Sequence, residues 1–182
     1  HPKQTKMTIA TLPKPQIQAA AFLPQAYLKG RFLPFEEANI SIATHALHYG
    51  TAVLAGIRGL PNPSDPSEIL IFRLEAHCQR LCNSAKYLGY AIDPAELRDV
   101  WMAFVRLNRP TVPFYLRPLV YTAGLGVTPR LHNIEKDLLI YGISMDNYLE
   151  KESIRCRISA WSRQRDLSQP LRAKTTSAYI TS

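Results

Sequence analysis

Residues 68–105 read EILIFRLEAHCQRLCNSAKYLGYAIDPAELRDVWMAFV, and their pattern decides the fold class. Glu68 to Arg73 is a short apolar run behind a Pro/Asn/Ser/Asp loop at 61–67, the signature of a strand. From there Leu74, Cys78, Leu81, Ala85 and Leu88 recur at alternating steps of four and three, one face of an amphipathic helix. Arg80 lies roughly 120° from that stripe at about 100° per residue, so it leaves the core face. Asp93-Pro94-Ala95-Glu96 then supplies an N-cap, a proline at the first helical position and a glutamate placed for a capping box. Leu97, Val100, Trp101, Phe104 and Val105 form the buried stripe of this second helix, and Pro110 stops it.

Working outward, Gln25 to Phe35 alternates around Lys29-Gly30 and predicts a tight hairpin. Strands are expected at about Phe114 to Thr122 and Asp137 to Met145, joined by the loop Gly124-Leu125-Gly126-Val127-Thr128-Pro129. A further strand is expected at about Ile154 to Trp161, behind the charged linker Glu150-Lys151-Glu152. Strands with helices grouped between them make the class α+β. The expected organisation is an N-terminal arm at 1–24, a small α/β domain at 25–149, and a linker with the start of a larger, incomplete domain at 150–182.

Composition narrows the function classes. With 46% hydrophobic and 20% charged residues the chain is globular, not disordered. No run approaches eighteen apolar residues, so no transmembrane helix is expected. The net charge is +8, and Lys151 to Lys174 alone holds seven basic residues against Glu152 and Asp166. A basic nucleic-acid-binding module is one reading of that excess, but only Trp161 interleaves with the basic run. Neither a nucleic-acid nor a membrane partner is therefore expected. Cys78, Cys82 and Cys156 have no framework spacing, which favours reduced thiols and a cytoplasmic protein. His1 to Ala21 reads as a polar arm that leaves a targeting segment open.

Three local features carry potential chemistry. His45 and His48 have a spacing that a metal tolerates on a helix, yet no third ligand stands nearby, so both read as structural and no metal is expected. Gly124-x-Gly126 is a weak phosphate-loop hint without the strand–GxGxxG–helix context. Lys174 precedes a hydroxyl-rich segment, Thr175 to Tyr179, and on chemistry alone reads as a solvated loop lysine.

Residues 44–58, THALHYGTAVLAGIR, resemble the signature of branched-chain amino acid aminotransferases, pyridoxal-phosphate enzymes of fold type IV. The resemblance continues through Ile71-Phe72-Arg73, His77 to Leu81, Ser84-Ala85-Lys86, Tyr115-Leu116-Arg117-Pro118-Leu119, Gly124 to Val127 and Tyr148-Leu149, and ends at Ala173-Lys174 with Tyr179. These blocks run in family order over nearly all of residues 25–182. The implied fold is the family's small domain with the beginning of its larger cofactor-binding domain. The implied activity moves the amino group of Leu, Ile or Val to 2-oxoglutarate.

The resemblance also implies roles. Lys174 stands at the lysine that holds pyridoxal 5'-phosphate as a Schiff base and then shuttles a proton. Arg80 stands at the arginine for the cofactor phosphate, and Tyr179 at the tyrosine facing its phenolic oxygen. Leu54, Tyr115, Arg117 and Tyr148 match substrate-pocket positions of the same subunit. Tyr49 and Val127 match positions that reach into a neighbouring subunit's site, which implies a homodimer or higher homo-oligomer. Amino acids and 2-oxo acids are the implied partners.

The chain departs from the family at Leu54-Ala55, where Phe-Glu is usual, at Met145, where some relatives carry tryptophan, and at Thr175 to Ala178, which lack a glycine. The family's chains extend well beyond the lysine, so an N-terminal fragment is expected. Aminodeoxychorismate lyases and D-amino acid aminotransferases of the same fold remain alternatives, against which the HALHYG and YLRPL blocks argue.

Overall fold

Lys29 and Gly30 both take positive φ, 52° and 74°, so the first turn is a two-residue hairpin of the hand that matches strand twist. It joins β1 (Gln25–Leu28) to β2 (Arg31–Pro34), with Leu28 paired to Arg31. This is the start of a computed structural model that describes residues 22–145, 153 and 155–180. A short helix α1 (His45–Tyr49) leads into β3 (Ala52–Leu54), β4 (Ile57–Asn62) and β5 (Asp65–Ile71). Helices α2 (Leu74–Ala85) and α3 (Pro94–Asn108) follow, then the long strands β6 (Phe114–Thr122) and β7 (Lys136–Ser144).

Among the described residues the strands form one antiparallel sheet in the order β2-β1-β7-β6-β4-β5, with β3 also on β6. Alternation splits its faces. One face carries Val53, Ile57, Phe114, Leu116, Val120 and Ile140 into a core closed by Leu81 and Cys82 of α2 and by Trp101 and Phe104 of α3. Full burial of each such side chain contributes about 1.5–3 kcal/mol. The other face holds a smaller cluster of Leu28, Leu33, Ala52 and Tyr121. The α+β class thus stands.

The helices follow their local signals. Asp93 caps α3, accepting the Ala95 N–H at 2.8 Å, and Leu97, Trp101, Phe104 and Val105 are buried. Cys78 and Cys82 are core thiols, and burial pushes the Cys78 thiol up to about 12. Two expectations change. The loop expected at 61–67 is largely the tip of the β4–β5 hairpin, whose register shifts at Pro61/Asn62; β5 is an edge strand, where proline is tolerated. The strand expected at 154–161 is absent over 155–161, where every residue is exposed and no neighbouring strand offers a ladder. The arm over residues 1–21 and the linker Glu150-Lys151-Glu152 lie outside the described residues.

Candidate active site

Lys174 is fixed through its backbone. Its carbonyl accepts the Leu54 N–H at 2.9 Å, its own N–H points to Ser84 Oγ at 3.4 Å, and the adjacent Thr175 forms an antiparallel bridge with Val53. The preceding Ala173 is buried. A 3-10 turn over Thr176–Tyr179 follows, tied down by the Thr176 hydroxyl on the Gly50 carbonyl at 2.9 Å. The turn brings Tyr179 back over the lysine: Lys174 Nζ donates to the Tyr179 hydroxyl and lies 5.1 Å from its ring centroid. Gln169 donates to the hydroxyls of both Thr175 and Ser177, so the loop before the lysine braces the turn after it.

Arg80 occupies α2 off the core stripe and is half-buried, as the helical phase predicts. Its guanidinium donates to His77 Nδ1 at 3.2 Å. Burial first, then the Arg80 and Arg73 cations, hold the His77 imidazole below its usual range, so the ring stays an acceptor. Ser84 Oγ donates to the Arg80 carbonyl at 2.9 Å while receiving the Lys174 N–H. One buried hydroxyl thereby joins the turn of Arg80 to the backbone of Lys174. The cleft between them has a volume of about 330 Å³ and is lined by Arg80, Arg163, Arg172, Lys174, Gln169 and Tyr179 among others, with no carboxylate among the described residues. Three guanidinium groups, an amine and a phenol around one small cleft suit a phosphate-bearing aldehyde. The residues present fit pyridoxal 5'-phosphate.

Leu54, Tyr115 and Arg117 share the sheet face turned away from the helices, because Val53, Phe114, Leu116 and Val120 occupy the other. Leu54 is buried. The Arg117 guanidinium lies 5.0 Å from the Tyr115 ring centroid, and its buried Nε has no hydrogen-bond partner among the described residues. A buried cationic donor without an acceptor is costly and suits an anionic ligand group. Tyr49 and Val127 do not line the Lys174 cleft. Tyr49 borders a separate apolar groove with Leu119 and Ile180, and Val127 is 84% exposed. Tyr148 lies outside the described residues.

The site contains residues that sequence reasoning missed. Ser84 carried one usable signal, a hydroxyl beside the apolar stripe of α2, but its partner is 90 positions away. His77 stood only within a block of the resemblance, Arg163 and Arg172 only within the basic run 151–174, and Gln169 carried no signal beyond polarity. His45 and His48 spend ring nitrogens on protein groups: His45 on Thr51, Thr122 and Thr128, His48 on the Ile42 carbonyl at 2.9 Å. Among the described residues no group of three His, Cys, Asp or Glu could hold a metal, and no helix is long and apolar enough to cross a membrane. A wider groove between β5 and α3 offers Arg73, Arg98 and Arg106 beside Glu75 and Asp99, with no nucleophile.

Comparison with known proteins bears on the family of the chain. The profile of the amino-transferase class IV family matches residues 67–182. A Synechocystis sp. protein named "Probable branched-chain-amino-acid aminotransferase" is 56% identical over 161 residues, covering 88% of this chain and 53% of that protein. The crystal structure of a branched-chain aminotransferase from Thermoproteus uzoniensis with norvaline superposes with a TM-score of 0.77 at 29% identity, over 86% of this chain and 52% of that one. The branched-chain amino acid aminotransferase of Escherichia coli gives a TM-score of 0.75 at 29% identity, over 87% of this chain and 53% of that one. The chain spans about half the length of the curated relatives it matches. With the family profile covering most of its length and the lysine, tyrosine and arginine gathered on one cleft, the chain belongs to the class IV amino-transferases.

Proposed function

We propose that the full-length protein is a pyridoxal-phosphate-dependent aminotransferase that moves the amino group of Leu, Ile or Val to 2-oxoglutarate. The observation that carries this reading is the contact of Lys174 Nζ with the Tyr179 hydroxyl, on a cleft shared with Arg80. The cofactor, when bound, supplies the electron sink that makes the amino-acid Cα acidic. Lys174 Nζ would hold the cofactor covalently and, once released, would move a proton between the amino-acid Cα and the cofactor's C4′. Tyr179, already hydrogen-bonded to that amine, orients it and the cofactor's phenolic oxygen. Arg80 grips the phosphate, with its guanidinium aimed by His77.

Substrate choice rests on the open sheet face. Buried Leu54 and the Tyr115 ring supply an apolar wall for a branched aliphatic side chain. Arg117, over the Tyr115 ring, offers its guanidinium to the second carboxylate of 2-oxoglutarate. One pocket then serves both substrates. Tyr49 and Val127, away from the cleft of their own chain, complete the site of a second subunit in a homodimer. Two buried cysteines and no framework pairing support a cytoplasmic setting. The test is turnover of L-leucine, L-isoleucine and L-valine with 2-oxoglutarate, beside D-alanine and aminodeoxychorismate. Activity confined to the last two would refute the reading.

A further inference from the structure

His45 is 1% exposed, yet both its ring nitrogens are engaged, and its partners lie on three separate segments. Nε2 stands 2.9 Å from the Thr128 carbonyl. A carbonyl only accepts, so Nε2 carries the hydrogen. In the neutral ring Nδ1 is then left to accept, with Thr122 Oγ1 at 2.8 Å and Thr51 Oγ1 at 3.0 Å. The two hydroxyls also touch each other. A consistent chain runs from the Thr51 hydroxyl to Thr122, from Thr122 to His45, and from His45 to Thr128. Every member is satisfied, which makes a buried polar network rigid rather than costly.

The same residue touches Tyr49, their ring centroids 4.6 Å apart. Its backbone N–H donates to the Gly124 carbonyl at 3.0 Å, and Thr44 bridges Leu125. The start of α1 and the loop Gly124–Thr128 are thereby laced together, with His45 holding the loop's far end through Thr128. That loop carries Val127, which has almost no packing of its own. Tyr49 and Val127 are the two side chains assigned above to the other subunit's pocket; buried His45 packs on the first and bonds to Thr128, the neighbour of the second.

We infer that His45 is a positioning residue that holds Tyr49 and the Gly124–Thr128 loop as one unit and thereby sets the substrate pocket of the neighbouring subunit. This rests on the aminotransferase reading and on the dimer within it. His45 touches no reacting atom. A placement error of about 1 Å in such a wall is enough to cost up to about 100-fold in rate.

Mixed dimers of the full-length protein, assembled from differently tagged chains, separate this role from general folding. In the first, one subunit is Lys174→Ala and the other His45→Asn; the only live lysine borrows its wall from an intact His45. In the second, one subunit carries both substitutions beside a wild-type chain; the live lysine borrows its wall from the altered subunit. Asparagine keeps a polar atom for the threonines and loses the reach to Thr128, whereas His45→Gln keeps an N–H for that carbonyl. The expected result is a kcat/KM for valine at least about tenfold lower in the second dimer than in the first. The cofactor absorbance of the two should match, and the glutamine homodimer should stay near wild type. Amide exchange over residues 124–128 should quicken in the asparagine chain and not in the glutamine chain. If the asparagine chain fails to fold, Thr122→Val in its place should lower kcat/KM in the same dimer. Equal kcat/KM in the two mixed dimers, or unchanged exchange of the loop, overturns the inference while leaving the aminotransferase reading intact. A wild-type protein that is monomeric or transfers no amino group overturns both.

Discussion

Gly56 lies between β3 and β4, where the chain crosses the tip of Tyr115. A Cβ at this position would stand 1.8 Å from the Tyr115 hydroxyl, 2.5 Å from Cζ and 2.8 Å from Cε2. Ordinary contact begins near 3.4 Å, so Gly56→Ala must push the phenol well over an ångström from its place. The backbone carries no positive φ here, so the cost comes from crowding alone. Overpacking of this kind costs about 1–3 kcal/mol. The ring cannot retreat without disturbing Arg117, whose guanidinium lies 5.0 Å from it. If this wall lines the proposed substrate pocket, a displacement this large should lower kcat/KM for leucine up to about 100-fold, while a cofactor bound at Lys174 and Arg80 as proposed should stay in place. Urea unfolding gives the stability, cofactor absorbance the loading, and initial rates the split. In a Tyr115→Ala background the added methyl meets no ring, and its stability cost should fall below about 0.5 kcal/mol. An undiminished cost in that background, or wild-type kcat/KM in the single variant, would refute the close approach of Gly56 and Tyr115 as the cause.

Arg80→Ala should weaken binding of pyridoxal 5'-phosphate and leave that of pyridoxal, which lacks the phosphate, unchanged; equal loss for both would remove Arg80 from the phosphate. His77 gives a pH signature. Its folded pKa is held below the usual 6.5, so the unfolded chain takes up the proton first. That contribution to stability is whole above pH 6.5 and is lost as pH falls toward the folded pKa; the drop in urea midpoint from pH 7.5 to 5.5 should shrink in His77→Gln. Asp93→Ala should cost about 1 kcal/mol by the same urea measurement, because it leaves the Ala95 N–H without its cap.

The legible parts of the fold were those written in local chemistry. Asp93 before Pro94 announces α3, and Lys29-Gly30 announces the first hairpin, because cap and turn are each complete within a few residues. β3 and β4 went unread for the opposite reason. Both are held by β6, some sixty positions away, and prolines at 61 and 66 mask the β4–β5 hairpin as loop. The site divides in the same way. Helical phase alone turned Arg80 off the core, but nothing local marked Lys174; only the ordered resemblance did. The role of Ser84, which couples the two, was not legible because it depends on a backbone N–H far along the chain. His45 reads from the sequence as structural, and its network with Thr51, Thr122 and Thr128 exists only once the sheet has formed.

Lys174 is the residue proposed to carry the chemistry. Borohydride reduction of the cofactor-loaded full-length protein, followed by proteolysis and mass mapping, reads the attachment point directly. The pyridoxyl group should be found on the peptide containing Ala173-Lys174-Thr175 and be absent after Lys174→Ala. The group on another lysine, or undiminished labelling of the Lys174→Ala protein, would contradict the account.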